Sequence, residues 1–271
     1  MVMLDPEVLY KDKDLLVINK PSGLLVHGAR GKRKEEREER VEPTLVDWLL
    51  KYYPEVKGVG DQPLHATPST VAQGLRPGIV HRLDRDTSGV MVIARNQATF
   101  LYLKSLFQKH EVTKTYIALV WGVPKERTGT IEKPIGIRNG TVKRSVHGGR
   151  MIKDAVTDYR VVRTYGKGER AMSLLEVSPR TGRTHQIRVH LASIGHPVVG
   201  DALYGKRGKR KEERGKRKGE KIDVQLVTGM ITPRLMLHAS AIEFTKSDGK
   251  RIRVDAAPPR DFLEYEERIA L

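Results

Sequence analysis

Nine residues, His81-Arg82-Leu83-Asp84-Arg85-Asp86-Thr87-Ser88-Gly89, set two carboxylates into a basic loop between the apolar runs Gly78-Ile79-Val80 and Val90-Met91-Val92-Ile93-Ala94. Runs of that kind supply buried strands, so the loop is held at both ends and its acids are presented from a fixed frame. A carboxylate so placed suits nucleophilic or proton-transfer chemistry. The competing structural role is ordinary for Asp beside Thr, Ser and Gly: it ligands the backbone of a turn. From the loop alone Asp84 and Asp86 have equal standing. Extended alternation puts Arg82 and Asp84 on one side and Leu83 on the other.

A second constellation is Thr181-Gly182-Arg183-Thr184-His185-Gln186-Ile187-Arg188-Val189-His190-Leu191. A Gly turn leads into a helix that Thr184 is placed to cap, which gathers Arg183 and open backbone amides at a helix start, a setting that suits a phosphate. Arg188 follows about one turn in, on the face of His185 and Ala192, where it can pair with a buried carboxylate and keep it ionised. The bland alternative is an amphipathic surface helix. The third stretch, Lys114-Thr115-Tyr116-Ile117-Ala118-Leu119-Val120, puts a Tyr at the start of a strong strand, where such a residue is usually core with its hydroxyl at the rim.

The elements that must position these residues read as strands with a few helices. Leu15 to Asn19 is a buried strand ended by the turn Lys20-Pro21-Ser22-Gly23. Thr44 caps a helix through Leu45, Trp48, Leu49 and Tyr52, with Asp47 completing a capping box in place of Glu. A second helix starts at Asn96 and carries Phe100, Leu103, Leu106 and Phe107 at helical spacing. Further strands are expected at Tyr116 to Trp121, Ala155 to Val162, Met172 to Val177, Leu235 to Phe244 and Arg251 to Val254, and a last helix at Asp261 to Ile269. The strands are often consecutive, so the alternation of a doubly wound sheet is missing. The expected class is α+β, a large, mixed and mainly antiparallel sheet flanked by helices and loops, in a single domain over residues 1–271.

Composition narrows the chemistry. Lys and Arg number 50 against 33 Asp and Glu in 271 residues, a net of +17 and a pI near 10.0. Such a balance favours a polyanionic partner, nucleic acid or an anionic membrane, over a merely soluble surface. Cysteine is absent, which removes disulfides, thiolate catalysis and cysteine-ligated metal. His185 and His190 lack the i, i+4 spacing of a helical ligand pair, so no metal is expected. The first residues carry no basic stretch leading into an apolar core, and no run approaches a membrane span, so a cytoplasmic protein without membrane association is expected. The default oligomeric state is monomer. Two segments, about 28–42 and 205–221, are low in complexity and share Gly-Lys-Arg-Lys-Glu-Glu-Arg; the second carries ten basic and three acidic residues. Both read as solvated insertions or as clamps on an RNA backbone.

Taken in order, the motifs identify a resemblance. Asp14 to Pro21 with Ser22-Gly23-Leu24-Leu25-Val26-His27, Arg76 to Asp84 with Thr87-Ser88-Gly89, Lys114 to Val120, Thr181 to Arg188, and Gly195-His196-Pro197 with Gly200-Asp201 and Leu203-Tyr204-Gly205 closely resemble the RluA family of RNA pseudouridine synthases, from about Asp14 to Phe262. The resemblance implies the pseudouridine synthase fold and the conversion of specific uridines in structured RNA to pseudouridine, without a cofactor. The implied substrate is large-subunit ribosomal RNA, with tRNA the alternative. Many members carry an S4-type RNA-binding domain ahead of the catalytic domain; here the catalytic domain begins almost at once, so none is expected. The catalytic Asp of the family follows His-Arg-Leu and maps to Asp84, which leaves Asp86 as a turn ligand. Tyr116 matches the Tyr that packs on the target base, and Arg188 the basic residue that pairs with the Asp. Arg82 matches a residue thought to fill the gap left by the flipped base, and His81, Thr87, Arg183, Thr184 and His185 fall in the same motifs as expected substrate contacts.

The implied reaction breaks the bond from N1 to C1′, rotates uracil, and joins C5 to C1′. Asp84 must be ionised for it, whether it attacks the sugar or removes a sugar proton. A stacked uridine cannot be reached and must be flipped onto Tyr116. Phosphate contacts supply affinity, each weakening binding by roughly 0.7 to 0.9 log units per log unit of salt. Two rival readings remain: a non-catalytic RNA-binding or ribosome-assembly protein on the same fold, and a glycoside or nucleoside hydrolase. The second fits poorly, since Asp84 and Asp86 in one tight loop cannot flank a glycosidic bond.

Overall fold

The computed structural model describes residues 4–28, 43–61, 76–138, 143–205 and 234–271. The two basic segments, 28–42 and 205–221, lie outside these residues apart from Gly28 and Gly205. In chain order the strands and helices are β1 (Glu7–Lys11), β2 (Leu15–Lys20), α1 (Leu45–Tyr52), β3 (Ser88–Ala94), α2 (Gln97–Lys109), β4 (Thr113–Trp121), β5 (Thr128–Glu132), β6 (Ile135–Ile137), β7 (Arg144–Ser145), β8 (Arg150–Lys153), β9 (Val156–Tyr165), β10 (Met172–Pro179), α3 (Gln186–Ser193), β11 (Leu237–Thr245), β12 (Arg251–Asp255) and α4 (Arg260–Ala270). No helix among the described residues is long and apolar enough to cross a membrane.

The chain divides into two compact units, Met1–Thr113 with Ala241–Ala257, and Lys114–Ser240 with Pro258–Leu271. The chain passes between the units three times, inside β4, inside β11, and between β12 and α4. Each unit has its own apolar cluster.

In the first unit β2 pairs antiparallel with both β1 and β3. β3 is buried along its whole length, which is why its sequence reads as an unbroken apolar run. The cluster gathers Leu15, Val17, Val90 and Val92 from these strands, Phe100, Leu103 and Leu106 from α2, and Phe244 and Val254 from β11 and β12. Both helix starts are made by the residues the spacing predicts. Thr44 and Asp47 form a reciprocal capping box on α1, and the Asn96 side chain accepts the Thr99 N–H at the start of α2. Gly78-Ile79-Val80 is a turn instead of the predicted strand, with one bridge from Ile79 to Ile93. The reason is Gly78, at φ +67°, where a Cβ would lie 2.2 Å from the Ala94 carbonyl oxygen.

In the second unit the antiparallel order is β4-β10-β9-β5, packed on α3 and α4 through Leu119, Leu175, Ile187, Leu191, Phe262 and Tyr265. A three-stranded sheet, β7-β6-β8, stands apart from it, and a small cluster of Ile135, Ala155 and Val189 roots this sheet on α3, with Val146 and Tyr204 packed against it. Antiparallel strands with helices laid on them make an α+β protein, as the strand-rich pattern predicts.

Candidate active site

In the first unit the Asp84 loop is stitched to the turn after β2. The Lys20 side chain is 0% exposed, and its ammonium donates to three carbonyl oxygens, Pro21 at 2.8 Å, Leu24 at 2.9 Å and Arg85 at 2.9 Å. Three donors meet three acceptors, which is how a buried lysine tolerates loss of water. The Arg85 carbonyl also accepts the Gly23 N–H at 2.9 Å, and Ser22 Oγ donates to the Asp86 carbonyl at 2.8 Å. The Thr87 N–H closes the turn onto the Asp84 carbonyl at 3.2 Å. The Asp84 carboxyl is half-buried, whereas Arg82 and Asp86 are exposed and Thr87 is buried.

The two histidines of this region are pinned differently. His81 stacks on Phe107 with ring centroids 4.7 Å apart, and its Nε2 accepts the Val92 N–H at 3.0 Å; it fastens the loop to β3. His27 Nδ1 lies 3.1 Å from the Gly28 carbonyl and its Nε2 lies 3.2 Å from Arg82 Nη1. Burial lowers the His27 pKa, and the charges of Arg76 and Arg82 lower it further against the opposing Gly28 carbonyl. Neutral His27 thus gives exposed Arg82 an acceptor that holds its guanidinium over the loop.

In the second unit Tyr116 sits half-buried on β4, opposite Val177 of β10. Lys114 lies two residues before it, hence on the same face of the strand. Burial pushes the Lys114 ammonium down to about 8, and its Nζ donates to the Thr181 carbonyl at 3.3 Å.

Arg188 is 6% exposed on α3, as is Asp201 across from it. Arg188 Nε and Nη2 donate to the two oxygens of the Asp201 carboxylate at 2.7 and 2.9 Å, a fork-to-fork pair of the strong kind. The Tyr204 ring lies against the guanidinium, 5.3 Å from centroid to Cζ. Arg188 therefore does pair with a buried carboxylate, as its place on the helix suggests, and within its own unit that carboxylate is Asp201.

The start of α3 departs from expectation. The cap residue is His185, in the left-handed region at φ 58° and with no side-chain cap bond, whereas Thr184 is exposed and caps nothing. Gln186, the first residue of the helix, instead ties the preceding turn together. Its Oε1 accepts the Arg183 N–H at 2.9 Å and the Thr181 hydroxyl at 2.7 Å, and its Nε2 donates to the Val156 carbonyl at 2.9 Å. Arg183 Nε donates to the Asp154 carbonyl at 2.9 Å. Nor is α3 an amphipathic surface helix, since six consecutive residues from Gln186 to Leu191 are buried. His190 belongs to that core, with Nδ1 2.9 Å from Thr157 Oγ1 and Nε2 2.9 Å from the Lys133 carbonyl.

The structure thus brings Arg188, His185, Asp201 and Tyr204 together in one unit and builds the loop of His81, Arg82, Asp84 and Thr87 in the other. Sequence reasoning assigned no role to Lys20, His27, Lys114, Asp201 or Tyr204. For Lys114 a signal was present, its two-residue spacing from Tyr116. Among the described residues no group of three or more His, Asp or Glu is arranged to hold a metal ion.

A family model described as RNA pseudouridylate synthase matches residues 14–193. The chain is similar to an uncharacterized RNA pseudouridine synthase of Aquifex aeolicus, 40% identical over 73% of the chain and 55% of that protein. It is also similar to the chloroplastic RNA pseudouridine synthase 2 of Arabidopsis thaliana, 32% identical over 95% of the chain and 63% of that protein. It therefore spans somewhat over half the length of these two relatives. The ribosomal large subunit pseudouridine synthase D of Pseudomonas aeruginosa is 35% identical over 96% of the chain and 70% of its own length. Among solved structures, human RNA pseudouridylate synthase domain containing 4 superposes with a TM-score of 0.66 at 26% identity, covering 97% of this chain and 92% of that one.

Proposed function

Because the chain belongs to the RNA pseudouridylate synthase family, we propose that it isomerises specific uridines to pseudouridine in structured RNA, with large-subunit ribosomal RNA as the substrate. Three relatives named for the ribosomal large subunit support that substrate, those of Pseudomonas aeruginosa, Haemophilus ducreyi and Yersinia pestis, at 35%, 33% and 34% identity. The observation that carries the reading is the Asp84 loop itself, which lies inside the matched region and is anchored by buried Lys20 at the carbonyl next to Asp84.

In this reading the flipped uridine stacks on Tyr116 and Arg82 fills its place in the RNA. Ionised Asp84 starts the departure of uracil, by attack at C1′ or by removal of a sugar proton. The bond from N1 to C1′ breaks, the base turns, and C5 bonds to C1′ as the ester to Asp84 breaks or as Asp84 returns the sugar proton; the C5 proton then passes to the Tyr116 oxygen as the phenol gives up its own by way of solvent to N1. Atoms balance without an added group. Arg188 supplies positive charge that favours an ionised acid. Arg183, Thr184 and His185 frame the substrate, whereas His81 and the buried Thr87, in motifs that suggest substrate contact, hold the Asp84 loop; the net charge of +17 supplies affinity for phosphate.

The test is a transcriptome-wide map of pseudouridine in cells with the protein, without it, and with Asp84→Asn in its place. Discrete positions in large-subunit ribosomal RNA are expected to lose the modification in the second and third cells. Identical maps in all three refute the reading, and sites confined to other RNA refute the substrate.

A further inference from the structure

The sheet β7-β6-β8 carries a strongly basic surface that the proposed chemistry leaves unused. From Lys133 to Arg138 and Lys143 to Asp154 there are six Lys or Arg residues and one acid, Asp154; Lys133 and Lys143 donate to the Ser193 and Leu203 carbonyls, whereas Arg138, Arg150 and Lys153 are exposed. β8 is exposed at every position, and two of its side chains are apolar, Met151 at 71% and Ile152 at 54% exposure. Cationic groups on one strand suit phosphates, and apolar groups open between them suit unstacked bases. The sheet is also built to a fixed shape. At Gly149, φ +135°, a Cβ would lie 2.4 Å from the Ile137 carbonyl oxygen, so only glycine admits this approach of β8 to β6.

What makes this surface more than a landing site is how it is fastened. Tyr204 Oη accepts the N–H of Arg144, the first residue of β7, at 2.8 Å, and lies 2.9 Å from His185 Nδ1. Lys143 Nζ donates to the carbonyl of Leu203 at 3.3 Å. The ring of the same Tyr204 covers Arg188. Asp201, which grips Arg188, also accepts the N–H groups of Leu203 and Tyr204 at 2.8 and 3.0 Å. One four-residue turn therefore holds the guanidinium from two sides and holds the root of the basic sheet by a hydroxyl. The Tyr204 hydroxyl thus ties the position of β7 to the same turn that holds Arg188.

We infer that Tyr204 is a positioning residue, through which RNA docked on the β7-β6-β8 sheet sets the guanidinium of Arg188. The inference rests on the proposed function, since it gives Arg188 a part in the chemistry. RNA bound on Arg150 and Lys153 contributes to affinity through phosphate contacts and to rate through Tyr204, and the two contributions are separable.

The experiment is a double-mutant cycle with the full chain and an RNA fragment bearing a mapped uridine, reading the single-turnover rate at saturating RNA and, separately, the Kd. Tyr204→Phe keeps the ring on Arg188 and removes the hydroxyl; it is expected to slow the saturated reaction about tenfold, the effect of losing one or two hydrogen bonds, with Kd changed less than about twofold. Arg150→Ala with Lys153→Ala is expected to raise Kd and slow the saturated rate in the parent, but in the Tyr204→Phe background only to raise Kd. A Tyr204→Phe rate within about twofold of the parent, or equal slowing by the pair in both backgrounds, overturns the inference. Should Tyr204→Phe unfold, Lys143→Met takes its place in the cycle, judged by the same two outcomes. A parent that forms no pseudouridine overturns the proposed function and this inference with it, whereas an active parent with an additive cycle overturns the coupling alone.

Discussion

Replacing Lys20 by Met removes the ammonium that three carbonyl oxygens share at 2.8, 2.9 and 2.9 Å. Met matches the length and apolar stem of the side chain, so packing is nearly kept and the perturbation is electrostatic. Hydrogen bonds from a charged donor contribute about 1.5–3 kcal/mol each, and several kcal/mol return because an ion no longer has to be kept out of water. The net loss is about 3–5 kcal/mol, the range for removing one side of a buried charge interaction. At about 2–4 °C per kcal/mol that lowers the melting temperature by roughly 10 °C. The damage should centre on the loop that presents Asp84, because the Arg85 carbonyl, which also accepts the Gly23 N–H, loses the ammonium that donates to it. Thermal unfolding gives the magnitude, and amide exchange, faster at residues 84–88 than elsewhere in the unit, gives the location. Lys20→Arg should not rescue, since a planar guanidinium spreads its donors and cannot aim three at carbonyls that converge on one nitrogen. A Lys20→Met protein within about 1 kcal/mol of the parent, with unchanged exchange in the loop, refutes the reasoning.

Two further substitutions probe other parts of the account. Burial lowers the Lys114 pKa from its ordinary 10.5 to about 8, so between those values the unfolded chain binds more protons and stability rises with pH. The rise is at most about 3 kcal/mol, less what water recovers at this half-buried side chain. Below pH 8 the cost of the buried charge is present in full; urea unfolding from pH 7.5 to 10 should show the rise in the parent and not in Lys114→Met, and parallel curves contradict it. Gly78→Ala forces a Cβ to 2.2 Å from the Ala94 carbonyl at positive φ, which should cost at least about 2 kcal/mol in denaturant unfolding; a neutral result contradicts the described turn.

Local grammar made much of this fold legible. The capping box of α1 and the Asn cap of α2 are decided by residues three apart, and the buried strands announce themselves by continuous apolar runs, of which β3 is the clearest. What escaped depends on partners far along the chain. Lys20 reads as a turn residue until Arg85, sixty-five positions on, supplies its third acceptor. Tyr204 meets Arg144 across sixty positions. The Thr184 cap was a sound local expectation that failed because the chain enters the helix through His185 in the left-handed region, while Gln186, anchored on Val156, reaches back to hold the turn at Arg183. Of the chemistry, the motif order singled out Asp84 while the residues alone left it level with Asp86. The partner of Arg188 within its unit, Asp201, lies thirteen residues later in a different motif.

The central claim is that Asp84 performs chemistry on RNA, and purified protein tests it most directly. Parent and Asp84→Asn are incubated with ribosomal RNA from cells lacking the protein, and nucleosides are counted by mass-neutral chromatographic separation of uridine from pseudouridine, with free uracil measured in the same digest. Pseudouridine is expected from the parent, none from Asp84→Asn at equal RNA binding, and no uracil from either. Pseudouridine formed by Asp84→Asn at the parent's rate, or uracil released in its place, contradicts the claim.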